Sequence, residues 1–120
     1  MLINISNHPS AHWEKRQIDE ATRRWGGVVD MQFPSIDPKW GYERVEQEAQ
    51  KHIMGYRREI AKYDQPSAFH IMGELVYCFC VVQLLLKGGY MVVASTTERD
   101  VVMHNGEKVS RFKFVQFREY

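Results

Sequence analysis

Long apolar runs are missing from this sequence. The longest, Leu75 to Leu86, covers twelve residues and is interrupted by Gln83, short of the roughly 18 that a membrane-spanning helix needs. Cysteine is scarce. Cys78 and Cys80 are the only two, and residues two apart on a helix point to different faces and do not bridge. They are expected as reduced, small apolar residues. No second cysteine pair exists and the five histidines show no paired ligand spacing, so neither a metal nor a cofactor is expected. An excess of one charge is lacking too. Sixteen Lys and Arg stand against fifteen Asp and Glu, which argues against a cationic coat for long nucleic acid. No Gly-x-Gly-x-x-Gly, no Gly-Lys-Ser/Thr loop and no Gly-x-Ser-x-Gly elbow occurs. Dinucleotide cofactors, P-loop nucleotides and hydrolases of the Ser-His-Asp kind are therefore poorly supported. Residues 1–6 place no basic segment before an apolar one, so no signal peptide is expected and a cytoplasmic location is.

What is present is a globular composition, 44% hydrophobic and 26% charged over 120 residues. One domain, residues 1–120, is expected, burying about two thirds of the surface its unfolded chain exposes. Strand-like and helix-like segments alternate. Leu2–Ser6 reads as a strand broken by Asn7-His8-Pro9-Ser10. Ser10 reads as the cap of a helix running to Trp25, ended by Gly26-Gly27. Val28–Phe33 is the second strand. Asp37 and Pro38 read as cap and first position of a long helix whose apolar face is Tyr42, Val45, Ala49, Ile53, Tyr56 and Ile60. Ala68–Met72 is the third strand, Glu74–Lys87 a buried helix, and Tyr90–Ala94 the fourth strand. Val101–His104 and Lys108–Phe117 flank Asn105-Gly106, a strong hairpin signal. This order predicts an α/β fold: a Rossmann-like three-layer sandwich with a mostly parallel sheet, order 2-1-3-4, and a C-terminal β-hairpin on one edge.

Ligands of such sheets bind beyond the carboxyl ends of the strands, where strand order reverses. Three polar segments fall there. Asn7, His8 and Ser10 offer an amide, an imidazole and a hydroxyl at a helix N-terminus, a setting that favours phosphate. Read plainly, Ser10 is only a cap and Asn7 only a turn residue. Gly73 permits close backbone approach, and Glu74 suits a ribose hydroxyl or base amine, or simply begins a helix. Ser95, Thr96, Thr97 and Arg99 suit phosphate oxygens, or form an ordinary polar loop. His12, His52, His70 and His104 read as surface, core or turn residues.

The chain size, the β-α order, the His8-Pro9-Ser10 turn leading to Trp13 and the polar stretch Ser95–Arg99 resemble the minimal single-domain ring nucleases of type III CRISPR systems, relatives of the CARF sensory domain. That resemblance implies a homodimer that binds a cyclic oligoadenylate, an antiviral second messenger, across its two-fold axis and cleaves it without a metal by ribose 2′-hydroxyl attack. On this chain it implies catalytic roles for His8, Arg99 and Glu74. Ligand contacts would come from Asn7, Ser10, Trp13, Gly73, Ser95, Thr96 and Thr97. The partners expected are a cyclic oligonucleotide and a second copy, with no long nucleic acid and no membrane. Two other readings remain: a non-catalytic Rossmann-like module that senses a nucleotide or binds a partner, and a nucleotide-modifying enzyme with Glu74 as base.

Overall fold

A computed structural model describes residues 1–120. The strands are β1 (Leu2–Ser6), β2 (Val28–Met31), β3 (Ala68–Met72), β4 (Val92–His104) and β5 (Glu107–Glu119). The helices are α1 (Lys15–Trp25), α2 (Tyr42–Ile60) and α3 (Leu75–Lys87), and a 3-10 turn spans Ser10–His12. One five-stranded mixed sheet runs β2-β1-β3-β4-β5. The first three pairings are parallel and β4–β5 is antiparallel.

The sheet's pleat sorts side chains into two cores. Ile3, Ile5, Phe69, Ile71 and Val92 meet Val45, Ala49, Ile53, Tyr56 and Ile60 of α2 and Tyr77, Val81 and Leu85 of α3. Leu2, Ala68 and Val93 face the other way, against Ala21 and Trp25 of α1 and Phe114 and Phe117 of β5. β1 is buried along its whole length, as a central strand covered on both sides must be. The α2 residues recur at steps of three and four, so one stripe of the helix faces the sheet. Gly55 interrupts that sequence pattern but not the helix, because its position is solvent-facing and open.

Several sequence expectations change. α1 begins at Lys15, not Ser10, because the chain first makes the 3-10 turn with Pro9 O accepting from His12 N. α2 begins at Tyr42. Asp37 instead closes a turn, its Oδ1 accepting from Lys39 N and its carbonyl from Trp40 N. β2 stops at Met31 rather than Phe33. α3 is not wholly buried: only one side meets the sheet and α2, leaving Leu75 83% and Phe79 53% exposed.

The largest correction concerns Ser95–Arg99. It is no loop after a short fourth strand but the middle of a thirteen-residue strand, and the fourth strand and first hairpin arm are one element. The sheet order therefore extends to β2-β1-β3-β4-β5. Polar residues at 95–100 read as loop because this stretch leaves the body as a two-stranded ribbon. There β4 pairs with β5 from Val93 to His104 but with β3 only at Val92 and Val93. Asn105 (φ 49°) and Gly106 (φ 79°) turn the ribbon. Positive φ at both central residues suits the twist of the flanking strands.

Candidate functional site

Three polar residues stand side by side across the parallel strands. Asp30, Asn4 and His70 are register partners across β2, β1 and β3. Asn4 Nδ2 donates to Asp30 Oδ1 (2.8 Å) and to His8 O (2.9 Å). Asn4 Oδ1 accepts from Ser6 Oγ (2.8 Å) and from His70 Nδ1 (2.8 Å). An amide oxygen only accepts, so His70 carries its proton on Nδ1. The other ring nitrogen, Nε2, lies 2.7 Å from Ser95 Oγ and in the neutral ring accepts from it. Gln17 Nε2 of α1 donates to the same Ser95 oxygen at 3.0 Å. Burial, with the nearby His8 charge adding to it, pushes the His70 imidazole down to about 4, so the ring is neutral near pH 7. Burial acts to raise the Asp30 carboxyl, but donors from Asn4 and Ser10 outweigh it and hold the group below its ordinary value.

Above this row opens a cleft of about 340 Å³, lined by His8, His12, Trp13, Gln17, His70, Ser95, Thr97 and Phe112 among others. Trp13 Nε1 donates to His8 O (3.0 Å), and its ring meets the His70 ring edge-on at 5.1 Å. The carbonyl of His8 thus accepts from Asn4 and Trp13, which fixes the loop and leaves the imidazole exposed at the cleft. A larger groove of about 540 Å³ lies elsewhere, between α2 and α3 around Tyr42, Cys80 and Gln83. It gathers no comparable polar constellation. No three of the His, Cys, Asp and Glu side chains are grouped to hold a metal ion.

The structure brings together only part of the predicted set. His8, Trp13, Ser95 and Thr97 line the cleft. Ser10 sits beside it, but its N–H and hydroxyl bind the Asp30 carboxylate (3.0 and 2.8 Å). The anion at this turn is the protein's own. Asn7 is exposed next to His8. Thr96 Oγ1 donates to Gln116 O and accepts from Gln116 N, closing the bulge between Thr96 and Thr97. Arg99 lies on the ribbon, two residues beyond Thr97, donating to Ser110 Oγ (3.1 and 2.9 Å).

Gly73 and Glu74 belong to the opposite side of the sheet. A Cβ on Gly73 would clash with the Phe33 ring, so the close approach is made by an internal ring and not a ligand. The Glu74 carboxylate caps α3, accepting from Val76 N (3.2 Å) and Tyr77 N (2.7 Å), beside Trp40 and Tyr42. The residues that sequence reasoning missed are Asn4, Asp30, Gln17 and His70. The signal was one polar residue centred in each of two apolar strands, LINIS and AFHIM.

The model of the family described as "Uncharacterized protein MJ1673 family" matches residues 1–118. The chain belongs to the MJ1673 family. That description names no activity for the family. No curated protein and no solved structure matches the chain.

Proposed function

We propose that the chain binds a cyclic oligoadenylate in the His8–Trp13–Ser95–Thr97 cleft as a homodimer, and cleaves it without a metal. We also read the sheet, with helices on both faces, as Rossmann-like. One observation carries the proposal: the cleft opens at the carboxyl ends of β1 and β3, where the chain reverses its direction of sheet growth. That is where open α/β sheets bind nucleotides. The lining suits the ligand. Trp13 and Phe112 offer faces for adenine, Ser95 and Thr97 offer hydroxyls to phosphate oxygens, and His8 and His12 offer imidazole donors.

On this reading the ribose 2′-oxygen attacks the adjacent phosphorus in line. The 2′-hydroxyl proton passes to water, the P–O5′ bond breaks, a 2′,3′-cyclic phosphate forms, and His8 gives a proton to the leaving oxygen. Arg99, on the same strand as Thr97, reaches phosphate from the ribbon once its bond to Ser110 is exchanged. Glu74 and Gly73 take no part. Incubation with cyclic tetra- and hexa-adenylate in chelator, read by chromatography, tests this. A 2′,3′-cyclic phosphate product is expected. Neither turnover nor a shift in Tm at micromolar protein overturns it.

A non-catalytic nucleotide-sensing module is the second reading. It is favoured by Ser10, whose backbone and side-chain donors are already engaged by Asp30 and so do not await a phosphate. A ligand-induced rise in Tm without product selects it.

A further inference from the structure

Ser95, His70 and Asn4 come from three adjacent strands and form one directed chain of hydrogen bonds that ends at the cleft. Each link has a defined sense. Asn4 Nδ2 is committed to Asp30 and His8 as a donor, so Asn4 Oδ1 is the acceptor that fixes the proton on His70 Nδ1. His70 Nε2 is then the only lone pair available at 2.7 Å to Ser95 Oγ. The ring cannot turn. Its two nitrogens are tied to Asn4 and Ser95, and Trp13 and Phe117 pack against it at 5.1 and 5.7 Å. His70 is 2% exposed, yet Ser95 is among the residues that line the cleft. A hydroxyl paired with an imidazole that a third group orients is the arrangement of an activated nucleophile.

We propose that Ser95 is a nucleophile toward carboxylic esters, with His70 as its general base and Asn4 as the residue that positions the imidazole. Ser95 Oγ adds to the ester carbonyl carbon, and its proton passes to His70 Nε2. The oxyanion so formed accepts from the Gln17 side-chain amide, which already touches the attacking oxygen at 3.0 Å. The intermediate collapses by breaking the acyl C–O bond, and the departing alcohol takes the proton from His70. Water then adds to the acyl-serine, losing its proton to His70, which returns it to Ser95 Oγ as the carboxylic acid leaves. An acyl group fits because Trp13, Met72, Phe112 and Phe114 line the cleft. This activity goes beyond the nucleotide reading and does not rest on it.

The test uses the full chain and an alkyl fluorophosphonate. Intact mass is expected to show one covalent adduct, and peptide mass mapping of the unaltered protein is expected to place it on Ser95. Ser95→Ala should abolish the adduct, and His70→Gln should slow its formation by about 100-fold or more. Nitrogen-15 NMR of the folded wild-type protein should report His70 protonated on Nδ1 and bare on Nε2, the signature of Asn4's positioning role. Hydrolysis of p-nitrophenyl acetate above background, lost in Ser95→Ala, completes the expected result. No adduct, an adduct on another residue, or full labelling of folded His70→Gln overturns the proposal. Cyclic oligoadenylate turnover is scored separately, so either reading can fail without the other.

Discussion

His70 is a titratable ring held neutral inside the protein, and this has a sign that can be worked out. Its folded value, about 4, lies below the ordinary 6.5. Between those two values the unfolded chain binds a proton that the folded chain does not, so stability rises with pH across that window. From this residue, unfolding free energy is expected to fall by about 3 kcal/mol as pH drops from 7 to 4. Urea titrations at several pH values check it, and the slope should flatten in His70→Gln. Asp30 acts in a lower window. Its folded carboxyl is depressed, so the stability it contributes is lost only as pH falls below the ordinary carboxylate range. Gly73 gives a second expectation at this scale. Gly73→Ala would drive a methyl into the Phe33 ring, destabilising by about 1–3 kcal/mol. Denaturant melts should show it, and Phe33→Leu should restore part of the loss.

Such residues also show what could be read beforehand. Asn4 and His70 were visible as polar intrusions in apolar strands, but their meaning depends on register. Only when β1 and β3 lie side by side do they become partners, and sequence periodicity does not give that alignment. Ser95 was visible for the wrong reason. In the sequence it reads as part of a phosphate loop, whereas its geometry comes from being inside a strand next to His70. Glu74 was equally conspicuous and proves to be a helix cap, the ordinary use of a carboxylate at that position.

At the scale of elements, strands buried on both faces and helices with one apolar stripe were legible because burial imposes period and composition. β3 has the predicted bounds, and β1 does too. Element starts were less legible. Both Ser10 and Asp37 look like caps, yet each closes a local turn several residues before its helix. The β4–β5 ribbon was half legible. Its Asn105-Gly106 turn was clear, but its arms carry solvent on both faces, so their polar residues imitate a loop. Because Gly106 sits at φ 79°, Gly106→Ala is expected to cost about 1 kcal/mol. The loss should stay local: amide exchange should quicken in residues 99–112 and leave β1 and β3 protected.

At the scale of the whole molecule, the chain is extended. Its radius of gyration is 15.7 Å, against about 13.6 Å for a compact domain of this length. It exposes 7878 Å², against about 6,800 Å² for a typical monomer of its mass. The excess coincides with two apolar surfaces. One is the outer side of α3 at Leu75, Val76, Phe79 and Leu86; the other is the ribbon at Val101, Met103 and Phe112. An excess near 1,000 Å² is of the order that each partner buries in a stable pair. Light scattering is therefore expected to give a dimer at micromolar concentration. Phe79→Glu and Phe112→Glu identify which surface closes it, by shifting the mass to that of a monomer. A monomer in the unaltered protein would count against a symmetric pair.

The ribbon has one further consequence. Its base is held by two rungs between β4 and β3 and by Phe114 and Phe117 of β5 packed against α1, and Ser95 lies within that base. That makes the junction a fulcrum. A load applied thirty-odd ångströms away at the tip, given the roughly 3.3 Å rise of each strand residue, is geared down to a small displacement of the Ser95 hydroxyl relative to the fixed His70 ring. Whatever grips the far end would hold a lever on the 2.7 Å between Ser95 Oγ and His70 Nε2.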